Sequence, residues 1–323
     1  MVLGAGALGS LYGAALAEAG CDVTLLCRDD HAAEVRSAGL VVTGVSGTRT
    51  LSLGATSDPK ALPARPYVAV VAAKAFDVEA LLASVEVRPR LAFSIQNGVG
   101  KDHPLMAAWG PGTVVGCVSM VGATLKAPGW VEHTMSGTTY LGNLPCGPAK
   151  GAEEVADLLQ AGGLLVEARP DIEAVVWSKA VLAVAAMGAT GLTRLPYHLV
   201  FLNNDAAGIF LDLIREAAAV AHAEGVELVD LPGPLQVATL AASPPAQARQ
   251  LMRRVGEQLV AAGETSIKVS TLAALESGKR TEVAAVHAPI LELARKHGLR
   301  APVLETVTRV LSAIDACRGE GRW

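Results

Sequence analysis

Short apolar runs alternate with helical patterns along the first hundred residues, beginning with residues 1–3, which lead into Gly4-Ala5-Gly6-Ala7-Leu8-Gly9. Residues 10–19 carry a small-residue helical pattern closed by Gly20, and residues 22–26 (DVTLL) read as a second buried strand. Residues 40–45 and 49–54 predict a short hairpin, 67–72 (YVAVVA) a buried strand, 78–85 a helix, and 90–95 a strand running into Gln96-Asn97-Gly98. Continuous apolar strands interleaved with helices predict a parallel sheet covered on both faces. From about residue 113 to 144, strand follows strand with Gly and Pro between them. Beyond about residue 149 the period turns helical, with candidate helices at 152–161, 171–187, 205–224, 245–262, 281–297 and 303–317. The pattern predicts an α/β domain over residues 1–169 and an all-α domain over 170–323, divided at Arg169-Pro170.

Composition narrows the function classes. A chain of 323 residues fits two domains, and 51% hydrophobic against 18% charged residues excludes disorder. A net charge of −4 argues against nucleic-acid binding, which needs surplus Lys and Arg, and four each of Trp, Tyr and Phe supply few stacking platforms. The longest stretch free of Asp, Glu, Lys and Arg, residues 103–125, holds Pro104, Gly110, Pro111, Gly112, Gly116 and Gly122. It reads as buried strands and turns rather than a membrane span. No cationic segment followed by an apolar core opens the chain, so no signal peptide is expected. Cys21, Cys27, Cys117, Cys146 and Cys317 are odd in number and lack metal-ligand spacing, which suits reduced thiols of a cytoplasmic protein without a metal site.

The glycine loop is the strongest local signal. Gly4, Gly6 and Gly9 stand between a strand and a helix, where glycines permit a tight turn, close approach of a pyrophosphate and close helix packing. The helix N-terminus favours the negative charge, so the loop residues Gly4, Ala5, Gly6, Ala7, Leu8 and Gly9 form a candidate dinucleotide site in a Rossmann-like domain. Only three residues precede the loop, so the first strand is short or the native start lies upstream. After the second strand comes Leu26-Cys27-Arg28, and a guanidinium there suits the 2′-phosphate of NADPH/NADP. The alternative leaves Arg28 in solvent with Asp29 or Asp30 on the ribose hydroxyls.

The opening loop, Arg28, Lys74 after YVAVVAA, Gln96-Asn97-Gly98, Trp177-Ser178-Lys179, and Ser270 followed by Gly278-Lys279-Arg280-Thr281-Glu282 resemble the ketopantoate reductase (2-dehydropantoate 2-reductase) family across nearly the whole chain. Lys179, near the start of a long apolar helix, is a candidate to polarise a ketone and donate a proton as hydride arrives, or else a lysine that snorkels to solvent. The resemblance implies the first role, with the site in a cleft between the domains. It also implies that Glu282 bonds the substrate oxygen or cofactor, Ser270 the substrate carboxylate, and Asn97 the nicotinamide ribose and substrate. Lys74 would face the cleft and Ala123 would touch cofactor through its backbone. Without the resemblance, Thr281 reads as a helix cap with Glu282 in the first turn, Ser270 as another cap, and Asn97-Gly98 as a turn. His133 reads as a structural residue of a strand.

Several family positions are changed. Asparagines expected four and eight residues after the lysine are Ala183 and Met187, the one three residues before Ser270 is Ile267, and the one five residues after Glu282 is His287. An Asp expected four residues after Ser270 is Ala274. A pocket stripped of these groups favours a less polar carbonyl compound, since each lost hydrogen bond is worth about 1 kcal/mol. The expected partner is thus a small-molecule ketone or 2-oxo acid, with ketopantoate itself the alternative and a non-catalytic NADP-binding sensor a third reading. No nucleic-acid or membrane partner is expected, and apolar helical faces such as 205–224 leave a homodimer open.

Overall fold

The structure is a computed structural model that describes residues 1–145, 147, 148, 150–265 and 269–319; Cys146 and Ile267 lie outside the described residues. The described chain divides into two compact units, Met1–Gln96 with Lys101–Glu173, and Asn97–Gly100 with Ala174–Trp323. The division falls four residues past Arg169-Pro170, and the four residues Asn97–Gly100 join the second unit.

In the first unit, five strands form an all-parallel sheet in the order Gly54–Thr56, Thr24–Leu26, Val2–Leu3, Val68–Val71 and Leu91–Ser94. Side chains alternate across it. Val2, Leu25, Val70 and Phe93 enter one apolar cluster with Tyr12, while Leu3, Leu26, Val71 and Ala92 enter another with Val78, Leu82 and Leu105. Both faces are therefore covered, the arrangement that uninterrupted apolar strands require. The predicted hairpin, Leu40–Gly44 with Arg49–Leu51, forms and is extended by Trp130–Met135 and Gly122–Ala127 into a four-stranded sheet. Val115–Ser119, Thr139–Asn143 and Val166–Ala168 make a further sheet of three.

The stretch 103–125 departs from expectation at its start, where His103–Trp109 is a helix rather than strand or turn. Pro104 sits in its first turn, where the missing N–H costs nothing, and Gly110 at φ 84° ends it.

The second unit is helical. Its longest element, Ile172–Thr193, continues six residues past the expected end at Met187. Gly188 does not break it, because the glycine is a contact point: a Cβ there would lie 2.7 Å from Leu213 Cδ1. Among the described residues this is the one helix long and apolar enough to cross a membrane, and 78% of its most apolar window is buried inside the fold. Short helices at Tyr197–Leu202 and Val237–Ala242 escaped the periodicity, being under two turns long. Phe201 and Phe210 meet edge to face at 5.2 Å in the shared core.

Candidate active site

Because all five strands run parallel, their carboxyl ends share one edge. That edge collects the glycine loop after Val2–Leu3, Arg28 after Thr24–Leu26, Lys74 after Val68–Val71, and Gln96 after Leu91–Ser94. The chain's strand order reverses between Val2–Leu3 and Val68–Val71, the switch point at which open α/β sheets bind ligands.

The three loop glycines do different things. Gly4 has φ 79°, and a Cβ on it would lie 2.6 Å from the Ala73 backbone; one on Gly9 would lie 2.9 Å from Ala72 Cβ. A Cβ on Gly6 would meet nothing within 4 Å. Gly4 and Gly9 are accounted for by the turn and by packing, whereas Gly6, at φ −81°, is demanded by neither. It leaves backbone open at the head of helix Ala7–Glu18, which has no side-chain cap and no acidic residue in its first turn. The first-turn N–H groups therefore lack intrahelical acceptors and favour an anion, so the residues present fit a dinucleotide pyrophosphate.

Arg28 is exposed, caps the helix Asp29–Ala38 through its backbone, and makes no side-chain hydrogen bond or ion pair with the described residues. Asp30 Oδ1 accepts from the His31 N–H at 2.8 Å. Gln96, singled out in the sequence only within the Gln96-Asn97-Gly98 run that carries the resemblance, ties two strand ends together by donating from Nε2 to Ala73 O while accepting from Ser94 Oγ at 2.9 Å. Lys74 is exposed at the same edge. Ala123 stands apart, on Gly122–Ala127 of the four-stranded sheet, paired with His133. His133 is a buried strand residue whose Nε2 lies 3.1 Å from Met135 O, and burial lowers its pKa.

The second unit holds Lys179, Asn97, Ser270 and Glu282. Lys179 is half-buried on Ile172–Thr193, and burial pushes its ammonium below the ordinary lysine range. Ala183 and Met187 follow on the same helix at four-residue steps and are buried in the apolar cluster, 5% and 2% exposed. Gly98 brings the Asn97 turn to helix Val283–Lys296, since a Cβ on it would lie 3.7 Å from Val286 Cα. Glu282 is the N-cap residue of that helix, one position earlier than its expected place in the first turn. Thr281 was expected to cap, but its hydroxyl donates to Asp315 and only weakly accepts from the Val283 N–H at 3.4 Å. Ser270 is the first residue of helix Ser270–Glu276 rather than its cap, a position taken by Val269.

His287 is fully buried and turned toward the last helix. Thr308 Oγ1 donates to Leu304 O at 2.6 Å, so it accepts from His287 Nδ1–H at 2.8 Å. Nε2 makes no well-formed hydrogen bond to a described residue. Burial pushes the pKa down to about 4, partly offset by the Val184 backbone.

The family model described as ketopantoate reductase PanE/ApbA matches residues 1–145, and its C-terminal counterpart matches residues 171–315. A 2-dehydropantoate 2-reductase of Archaeoglobus fulgidus is 30% identical over 325 residues, covering 98% of this chain and 97% of its own. One from Pyrococcus abyssi is 28% identical over 321 residues, covering 99% and 98%. Among solved structures, a PanE/ApbA family ketopantoate reductase from Ralstonia eutropha superposes with TM-score 0.80 at 24% identity, covering 98% of both chains. A D-mandelate dehydrogenase with NADH and anilino(oxo)acetate gives 0.82 at 19% identity, again over 98% of both chains. At these identities the two structures speak to the fold.

Proposed function

The chain belongs to the ketopantoate reductase PanE/ApbA family, an oxidoreductase family, and on that premise we propose that it reduces a ketone or 2-oxo acid to the hydroxy compound with NADPH, Lys179 donating the proton. The observation that carries this reading is Lys179 itself, a half-buried ammonium with a lowered pKa in the unit that also holds Asn97, Ser270 and Glu282. A lysine brought nearer neutrality is a better general acid at physiological pH. A nicotinamide cofactor, when bound, supplies the hydride. The backbone of residues 4–9 holds its pyrophosphate, and Arg28, with no partner among the described residues, takes the 2′-phosphate. Lys179 neutralises the developing oxyanion and delivers its proton there, while Asn97, Glu282 and Ser270 orient the substrate.

Substrate preference follows from the polar groups that the long helix lacks. Ala183 and Met187 are packed in the apolar cluster and bring no polar group where the family amides would stand, so a less polar carbonyl compound is favoured. Ketopantoate is the second reading, favoured by full-length likeness to proteins named 2-dehydropantoate 2-reductase.

NADPH oxidation over a panel of 2-oxo acids separates the two, with apolar members expected to show the higher kcat/KM. Robust growth of a pantothenate auxotroph carrying this gene would overturn that preference, and absence of turnover on any carbonyl compound would overturn the enzymatic reading. Lys179→Ala is expected to lower kcat by roughly 10²–10⁴-fold while leaving NADPH affinity within about threefold. Since the protonated amine is the active form, kcat of the unaltered enzyme falls as pH rises through the lowered Lys179 pKa.

A further inference from the structure

A chain of hydrogen bonds runs through the first unit that none of the roles above uses. Gly129 N–H donates to His31 Nδ1 at 2.8 Å, and His31 Nε2 lies 2.9 Å from Ser10 Oγ. Ser10 Oγ in turn reaches Ala5 O at 3.4 Å. His31 is 3% exposed and Ser10 fully buried. The direction of the chain is fixed at one end. A backbone N–H can only donate, so Nδ1 accepts; the proton of the neutral ring is on Nε2 and goes to Ser10, whose own proton faces the Ala5 carbonyl. A protonated imidazole would set two N–H groups against each other at Gly129. Burial keeps the pKa of His31 below its ordinary value, against the pull of neighbouring Asp30.

The elements joined are specific. Ala5 lies between Gly4 and Gly6, with its own N–H held by Leu26 O at 2.8 Å, and Ser10 follows the last glycine. His31 stands in the first turn of the helix that Arg28 caps. Gly129, at φ 72°, presses on that helix so closely that a Cβ would lie 2.5 Å from Glu34 Cγ.

We propose that His31 is a positioning residue that fixes the distance between the glycine loop and the helix headed by Arg28, and so sets the preference for NADPH over NADH. The inference rests on the cofactor reading above. NADPH must reach the loop with its pyrophosphate and Arg28 with its 2′-phosphate, and so depends on both anchors and their separation. NADH lacks the second anchor and is less sensitive to it.

The test is binding of each cofactor to the full-length protein, followed by quenching of intrinsic fluorescence or by calorimetry, with kcat and KM measured alongside. His31→Leu is expected to weaken NADPH by about tenfold and NADH by less than about threefold, the loss appearing in KM with kcat at saturation changed less than about twofold. Ser10→Ala, which threatens folding less, is expected to shift the same ratio in the same direction. A merely structural histidine would lower the melting temperature and weaken both cofactors alike; that result, or unchanged NADPH affinity in both folded variants, overturns the proposal. Arg28→Ala on the same instrument keeps failures apart. If Arg28→Ala leaves NADPH affinity intact, or the unaltered protein binds neither cofactor, the cofactor reading falls and the inference with it; if Arg28→Ala weakens NADPH and the two others do not, only the inference falls.

Discussion

Lys101 and Asp102 are neighbours in sequence and are both buried, with Lys101 Nζ 2.8 Å from Asp102 Oδ1 and 3.1 Å from Ser94 O. Removing one member strands the other's charge in the interior, which costs about 3–5 kcal/mol. Lys101→Met is therefore expected to lower unfolding stability by about that much in urea titrations, and Lys101→Met with Asp102→Leu to recover most of it. His287 makes a different demand. It titrates at about 4 when folded against about 6.5 in an unfolded chain. Above pH 6.5 neither state takes the proton. As pH falls from 6.5 toward 4 the unfolded chain binds a proton that the native one refuses, so stability drops by about 3 kcal/mol and then levels off. Denaturation at a series of pH values should show this slope, and His287→Gln should flatten it. Neither role is legible in the sequence: Lys101 carries no motif, and His287 stands out only as a departure from an asparagine.

At the scale of elements, the glycine loop separates packing from binding. Gly4→Ala forces a left-handed backbone and a clash with Ala73, so it should cost melting temperature. Gly6→Val meets open space in the protein and should leave thermal stability nearly unchanged, while its side chain blocks the backbone a pyrophosphate would approach and weakens cofactor affinity by about tenfold or more. Paired melting and binding measurements would check the contrast, and equal affinity in Gly6→Val would remove the pyrophosphate reading. The loop was legible because its chemistry is local, three glycines between a strand and a helix. The long helix was legible in kind but cut short at Met187, because Gly188 and Gly191 look like a stop until Leu213 and Leu311 are seen against them. The helix His103–Trp109 was hidden by Pro104 and by its seven-residue length. Ser10, His31 and Gly129 are far apart in sequence, and nothing at any one of the three positions announces the other two.

At the scale of the molecule, the sequence changes from mixed periods to helical ones near Arg169-Pro170, since covering a sheet and covering a helix impose different spacings, and the two compact units part after Glu173. The excursion Asn97–Gly100 was not foreseen, because Val99 joins the helical core only through folding. Cofactor binding should be visible in overall stability: at a hundredfold excess over its dissociation constant, NADPH is expected to add about 2.7 kcal/mol, raising the melting temperature with concentration. A flat response across that range would count against a folded nucleotide site. The long apolar helix has one more consequence, for synthesis. Its covering residues Leu213, His287 and Val307 are all translated after it, the last more than a hundred residues later. A ribosome thus exposes a greasy surface well before its cover exists, so chains stalled between about residue 200 and residue 283 should be chaperone clients and prone to aggregate, and the burden of misfolding falls on the second half of the gene.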